Sequence, residues 1–298
     1  MTLFVGREHE LKMIAQQVLG SSASRAIVEG GAGVGKTSFV SRIKSELGTR
    51  GVLMHADPVR VRAGMTDQQF MAEVLKVLLQ IHATVAVENT AGGLRKAGRT
   101  LKQDVALDAE SAFWRRVGRL IRGEDSISGG MTVMAGGGQR AHIRIPAEIS
   151  DLSLFDELAK AVAYLAKGGK KVLIHVNNLE NLTLEAAADA ARLMQQIRDC
   201  FLVDHSHWLF VGTTGIEQQI FRASEQVNGI VPFAVPLDPL APDEVAELLR
   251  RRYHHLQKGI HVTPPIDPND GATLYRRYDG ELRTFLSLLS SNSRKSTS

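Results

Sequence analysis

Gly30-Gly31-Ala32-Gly33-Val34-Gly35-Lys36-Thr37 fits the phosphate-binding loop pattern G-x-x-x-x-G-K-[ST] at every fixed position. The flanks have the order this pattern requires. Arg25 to Glu29 reads as a short buried strand around Ala26, Ile27 and Val28. Ser38 to Leu47 reads as a helix with Phe39, Val40, Ile43 and Leu47 on one face. Strand, glycine loop and helix together imply a nucleoside triphosphate site. A tight turn would explain the glycines alone, but such a turn has no use for Lys36-Thr37.

The spacing has a physical reason. Glycines accept positive φ and let the backbone come close, so successive N–H groups converge where the helix N-terminus already favours an anion. Gly31, Ala32, Gly33, Val34, Gly35 and Ser38 are therefore expected as nucleotide contacts. Lys36 is expected on the β- and γ-phosphates, and the Thr37 hydroxyl on Mg²⁺.

Composition excludes several classes. With 298 residues, 44% hydrophobic and 23% charged, the chain has the profile of an ordinary globular protein with room for one large domain and a small one. The longest apolar stretch, Val74 to Val87, is interrupted by Lys76, Gln80 and His82, so no membrane contact is expected. The N-terminus shows no signal-peptide pattern, and a cytoplasmic location follows as an expectation. A single cysteine, Cys200, excludes an internal disulfide and reads as a buried structural thiol. His205 and His207 have no third ligand in sight, so no metal site is expected there.

The net charge of +4 says little, but its distribution says more. Between Leu94 and Arg144, ten basic residues face five acidic ones; Arg115, Arg116, Arg119 and Arg122 lie close together. Two readings stay open, contact with nucleic acid or a solvated helix face.

An α/β architecture is expected along the chain, with a parallel sheet covered by helices on both faces. Strands are predicted at Val52 to Ala56, Lys171 to Val176 and Trp208 to Thr213. Helices are predicted at Asp67 to His82, Ser111 to Ile121, Leu152 to Leu165 and Leu184 to Cys200. Residues 88–150 read as an insertion into a core spanning 1–237, with a hairpin or flap around the glycines of Ser128 to Gly138. From 238 to 290 the pattern is helical, a small C-terminal lid, and Ser291 to Ser298 reads as a disordered tail.

In ATP-hydrolysing P-loop proteins a hydrophobic strand commonly ends in acids that serve the metal and the attacking water. Here Val172-Leu173-Ile174-His175-Val176 is followed by Asn177-Asn178-Leu179-Glu180. Asparagine can hydrogen-bond to a metal-bound water but supplies neither charge nor a base. Binding is expected to survive while hydrolysis is weak. Glu180 is the nearby acid and reads either as the catalytic base or as a surface or capping residue. His175 reads as a satisfied core histidine.

Phe4-Val5-Gly6-Arg7-Glu8-His9-Glu10-Leu11, ahead of the loop, resembles the N-terminal motif of AAA+ and STAND-type ATPases, in the branch of origin-recognition and transposition-regulator ATPases. That resemblance implies a P-loop core with a helical lid, and ATP with Mg²⁺ as cofactors. It places Val5, Gly6 and Arg7 beside the adenine. It implies that Thr213 or Thr214 senses the γ-phosphate and that Arg222 projects into a neighbouring subunit. Gly280-Glu281-Leu282-Arg283 is similar to the second sensor, with Arg283 on phosphate. The two asparagines depart from the family's acidic pair, a degenerate Walker B. No Asn-Lys-x-Asp guanine motif is present.

The expected function is an ATP-dependent assembly switch with low intrinsic ATPase activity, forming a homo-oligomer that regulates a protein partner. The chain ends soon after the lid, which suggests an effector supplied in trans and no winged-helix domain. Two alternatives stand beside it: DNA binding through the basic segment under ATP control, or a nucleotide held permanently as a structural ligand.

Overall fold

The structure is a computed structural model that describes residues 4–92, 101–122, 151–185, 187–222, 227, 230, 232–256, 266–278 and 280–295. Its centre is a parallel sheet. Strand β1 (Ser24–Gly30) lies between β5 (Ser206–Gly212) and β6 (Phe233–Leu237), and β4 (Val172–Asn177) lies on the far side of β5. The short strands β2 (Leu53–Met54) and β3 (Val59–Arg60) pair with the beginning and the end of β4. From β1 the chain crosses to the β2 edge, returns through β4 and β5, and then passes β1 to reach β6 on its other side, so the loop leaving β1 sits where the connections change direction.

Alternation along the strands sorts the core into two layers. Ala26, Val28, Leu173, Leu209 and Val211 face helices α1 (Glu8–Gly20) and α2 (Lys36–Thr49). Ile27, Val172, Ile174, Trp208 and Phe210 face the other side. There they meet α3 (Asp67–Gly92), α4 (Leu101–Arg122), α5 (Asp151–Leu165) and α6 (Ala187–Gln196). Cys200 is buried in that layer, and its thiol is pushed up to about 12 by burial. Helix α7 (Ile216–Ile220) follows β5.

A third cluster belongs to α8 (Pro242–Leu256), α9 (Pro268–Tyr275) and α10 (Leu282–Lys295). Val245, Leu249, Tyr275 and Phe285 form its centre. The N-terminal motif spans the junction: Phe4 packs on the α1/α2 layer, Val5 on the helical cluster.

Several elements differ from the sequence expectation. Helix α3 continues ten residues past His82, and α4 begins at Leu101. Phe113, Trp114 and Val117 of α4 are buried in the core, so this part of the expected insertion is integral to the fold. The expected helix from Leu184 to Cys200 is α6, which starts at Ala187, followed by a 3-10 turn at Arg198–Leu202. Leu184, read as its first apolar position, is 70% exposed. Helix α10 runs to Lys295, into the stretch read as a disordered tail, because Phe285 and Leu289 anchor it. The expected hairpin around Ser128 to Ile145 lies outside the described residues.

Candidate nucleotide site

The loop leaving β1 has the conformation that its glycines predict. Gly33 and Gly35 lie at φ of 71° and 101°, and Gly35 caps α2, which begins at Lys36. The Lys36 ammonium donates to the carbonyls of Gly30 at 2.7 Å and Gly31 at 2.9 Å. Burial pulls its pKa below the ordinary lysine value; Glu180 opposes that shift and Arg283 adds to it. Lys36, Glu180 and Arg283 therefore share one electrostatic neighbourhood.

Two cavities meet at this loop. The first, about 430 Å³, is lined by Ala32 through Ser38, by Asn177, Asn178 and Glu180 after β4, and by Leu282 and Arg283 of the lid. The second, about 650 Å³, is lined by Phe4, Val5 and Arg7, by Thr37, Ser38 and Arg42, and by Leu240, Leu248 and Arg252. Residues expected from distant parts of the chain thus come together: polyphosphate-sized polar space beside Lys36, and more apolar space beside the N-terminal motif. Arg7 holds the two halves in register. Its Nη2 donates to Val34 O in the loop and to Asp238 O before the lid, both at 2.9 Å. Gly6 is pressed against Glu244, whose carboxylate accepts from the Ala241 N–H at 2.7 Å.

Asn177 ends β4, and Asn178 takes the left-handed conformation at φ 61°, which asparagine tolerates better than most residues. That turn starts the 3-10 helix Leu179–Thr183 and brings Glu180 into the smaller cavity. Glu180 Oε2 is buried with no hydrogen-bond partner among the described residues. A buried carboxylate oxygen left in this way has capacity for a bound water or a hydrated cation. The donor set fits an anionic ligand with Mg²⁺: converging backbone N–H groups, the Lys36 ammonium, the Thr37 hydroxyl and the orphaned Glu180 oxygen.

Other expected residues lie elsewhere. Thr213 and Thr214 are exposed and line neither cavity. Arg222 is 63% exposed and pairs with Glu217 at 2.7 Å. On α4, Arg116 is held by both oxygens of Glu157 at 2.6 and 2.7 Å and stacks on Phe113, so one arginine of the basic face is already neutralised. Among the described residues no cluster of three or more His, Cys, Asp or Glu could hold a metal ion. No helix there is long and apolar enough to cross a membrane.

The sequence reading overlooked Glu281. Its side chain lies so close to Gly33 that a methyl group there would meet Glu281 Cγ at 2.5 Å, which places the lid directly on the loop. An acid beside the expected sensor Arg283 was the available signal.

His175 corrects another expectation. It is buried, but neither ring nitrogen has a partner among the described residues, so it is a core histidine without satisfaction. Burial and then the nearby Lys44 push its pKa down to about 3. The unfolded chain, with the ordinary value of 6.5, binds this proton throughout that window, so stability falls as pH drops from 6.5 toward 3. His207, lowered to about 4, adds to the same slope. His175→Leu is expected to remove about 2 kcal/mol of the stability lost between about pH 7 and pH 5, read by urea unfolding. An unchanged slope would show that His175 is protonated in the folded chain.

The family model described as AAA ATPase domain matches residues 3–211. No curated protein matches the chain. Among solved structures, the ORC1 protein of Aeropyrum pernix, determined in complex with DNA, is similar over 99% of this chain and 61% of its own, at 15% identity and a TM-score of 0.52. The ADP form of the ORC2 protein of the same organism covers 96% and 64%, at 13% identity and a TM-score of 0.49. The Walker-type ATPase paby2304 of Pyrococcus abyssi covers 96% and 72%, at 10% identity and a TM-score of 0.46. This chain thus spans about three fifths of the ORC1 chain's length. By its family match, its sheet order and its phosphate loop, the chain belongs to the AAA ATPase domain family.

Proposed function

We propose that the protein is an ATP-dependent assembly switch whose bound nucleotide joins core to lid and whose Arg222 engages the nucleotide of a neighbouring copy. One observation carries this reading: Leu282 and Arg283 of the lid line the same cavity as Lys36, Thr37 and Glu180 of the core. A triphosphate held there contacts both bodies at once, so its affinity is higher for the closed arrangement and its binding shifts the population toward it. Lys36 and the loop N–H groups bind the phosphates, Arg283 neutralises charge from the lid side, and Phe4, Val5 and Leu240 enclose the base. Thr37 and, through water, Asn177 would hold Mg²⁺, which supplies charge neutralisation on the phosphates. Glu180, which lines the cavity, takes the proton from water, with Asn177 and Asn178 adding no second carboxylate. Turnover is therefore slow, and the bound state long-lived.

Sedimentation velocity tests the switch. With ATP and Mg²⁺ the mass is expected to rise above that of the monomer, with ADP to stay there, and Arg222→Ala is expected to remove the rise. Nucleotide affinity measured on the same variant separates a lost interface from a lost site. An identical mass with ATP, ADP and no nucleotide would sink the reading. The alternative of DNA contact through α4 is weakened by the commitment of Arg116 to Glu157.

A further inference from the structure

Glu29, near the end of β1, is tied to Arg222, just past the end of α7. Glu29 is the residue before Gly30, whose carbonyl accepts from Lys36. The Glu29 carboxylate turns away from the loop and accepts two backbone N–H groups at the start of α7, Gly215 at 3.3 Å and Glu217 at 2.5 Å. Those donors have no partner within the helix, so the carboxylate satisfies them and complements the helix dipole.

Helix α7 is held firmly on its other side. Ile216, Ile220 and Phe221 are buried, and Ile216 lies against Gly212 so closely that a methyl group at Gly212 would meet it at 2.6 Å. Within this fixed turn the Glu217 side chain is 6% exposed. A carboxylate in that position must be compensated. Its Oε1 accepts from Arg222 Nε at 2.7 Å, while the arginine itself remains 63% exposed. One Arg222 nitrogen is therefore pinned, and the outer part of the guanidinium faces solvent.

We propose that Glu29 and Glu217 are positioning residues that fix Arg222 relative to the phosphate loop of its own chain, so that the arginine offered to a neighbour is aimed by the subunit that donates it. This rests on the reading above, in which Arg222 acts on a neighbouring copy. A free arginine samples many rotamers, and ordering them on association costs affinity; a charge-assisted bond made beforehand removes that cost. The path to the nucleotide site is short and runs through hydrogen bonds and neighbouring residues: Lys36, Gly30, Glu29, the first turn of α7, Glu217, Arg222.

Mixed pairs of variants test the proposal without relying on hydrolysis. A tagged Arg222→Ala chain keeps its phosphate loop but offers no arginine. A Lys36→Ala chain offers Arg222 but lacks the loop lysine. Their association in ATP and Mg²⁺, measured by biolayer interferometry, reads one directed contact. Glu217→Gln added to the arginine donor is expected to weaken that association about tenfold, from the loss of one charged hydrogen bond. The same substitution in the Arg222→Ala partner is expected to leave it unchanged. Glu29→Ala, which deletes the cap while leaving the Glu217 side chain in place, is expected to show the same donor-only effect at smaller size.

Equal effects in either chain would mark Glu217 as a general structural residue and overturn the proposal. No effect in the donor would overturn it as well. If the parent pair fails to associate in ATP although the Arg222→Ala chain binds nucleotide, the assembly switch itself falls, and the positioning role with it.

Discussion

Lys36→Ala is expected to weaken ATP binding by about a hundredfold, or about 3 kcal/mol, as measured by titration calorimetry. The lysine is half-buried, and its pKa is depressed mainly by burial, so its charge is carried at a cost in the free protein. In this structure the cost is offset by the carbonyls of Gly30 and Gly31. Phosphate oxygens are better partners, because both members of the pair are then ionised and water is excluded between them. Removing the ammonium deletes those contacts and leaves the loop N–H groups to hold the anion alone. The fold should survive: Lys36 belongs to no core cluster, and a thermal melt within a few degrees of the parent is the accompanying expectation. Unchanged affinity in calorimetry would show that the nucleotide sits elsewhere.

The second large effect concerns hydrolysis. Glu180→Gln is expected to lower single-turnover ATP hydrolysis by about 10² to 10⁴, the range for loss of a general base, while leaving affinity nearly intact. The reason is placement. Asn177 and Asn178 line the cavity as neutral groups, and Glu180 is the acid that reaches it, with one oxygen unpartnered. Asn177→Asp is expected to raise the rate by adding a charge at the end of β4. A rate that ignores Glu180→Gln but depends on Arg222 would assign the chemistry to a neighbouring subunit. No measurable turnover in any variant would leave a switch set by binding alone.

How much of this was legible in the chain depends on the range of the forces involved. The loop, the β1–α2 unit and the lid helices could be read because their signals are local: glycines before Lys36-Thr37, the 3.6-residue period of Phe39, Val40, Ile43 and Leu47, and the start of α8 at Pro242. Strand β6 escaped notice because Pro236 sits in it, and proline lacks the N–H that a ladder uses. It is tolerated because, among the described residues, β6 is the edge of the sheet, paired with β1 alone. Strand β3 was too short to show a period. Helix α3 extends past the His82 expected from sequence, through the apolar Val85 and Val87, and His82 stacks on Trp114 of α4 at 4.4 Å, a contact that no local pattern encodes.

The site divides along the same line. Local order along the chain was enough to identify the phosphate loop, Lys36, Thr37 and the absence of an acidic pair after β4, since each depends on neighbours within a few residues. Packing across the sheet alone determined that Glu180 enters the cavity, that Glu281 rests on Gly33, and that Arg222 is held by Glu217 under a helix capped by Glu29. Glu29 and Glu217 lie 188 positions apart, and a hydrogen bond of that kind exists only once β1 and β5 are side by side. Spacing in sequence carries no record of it.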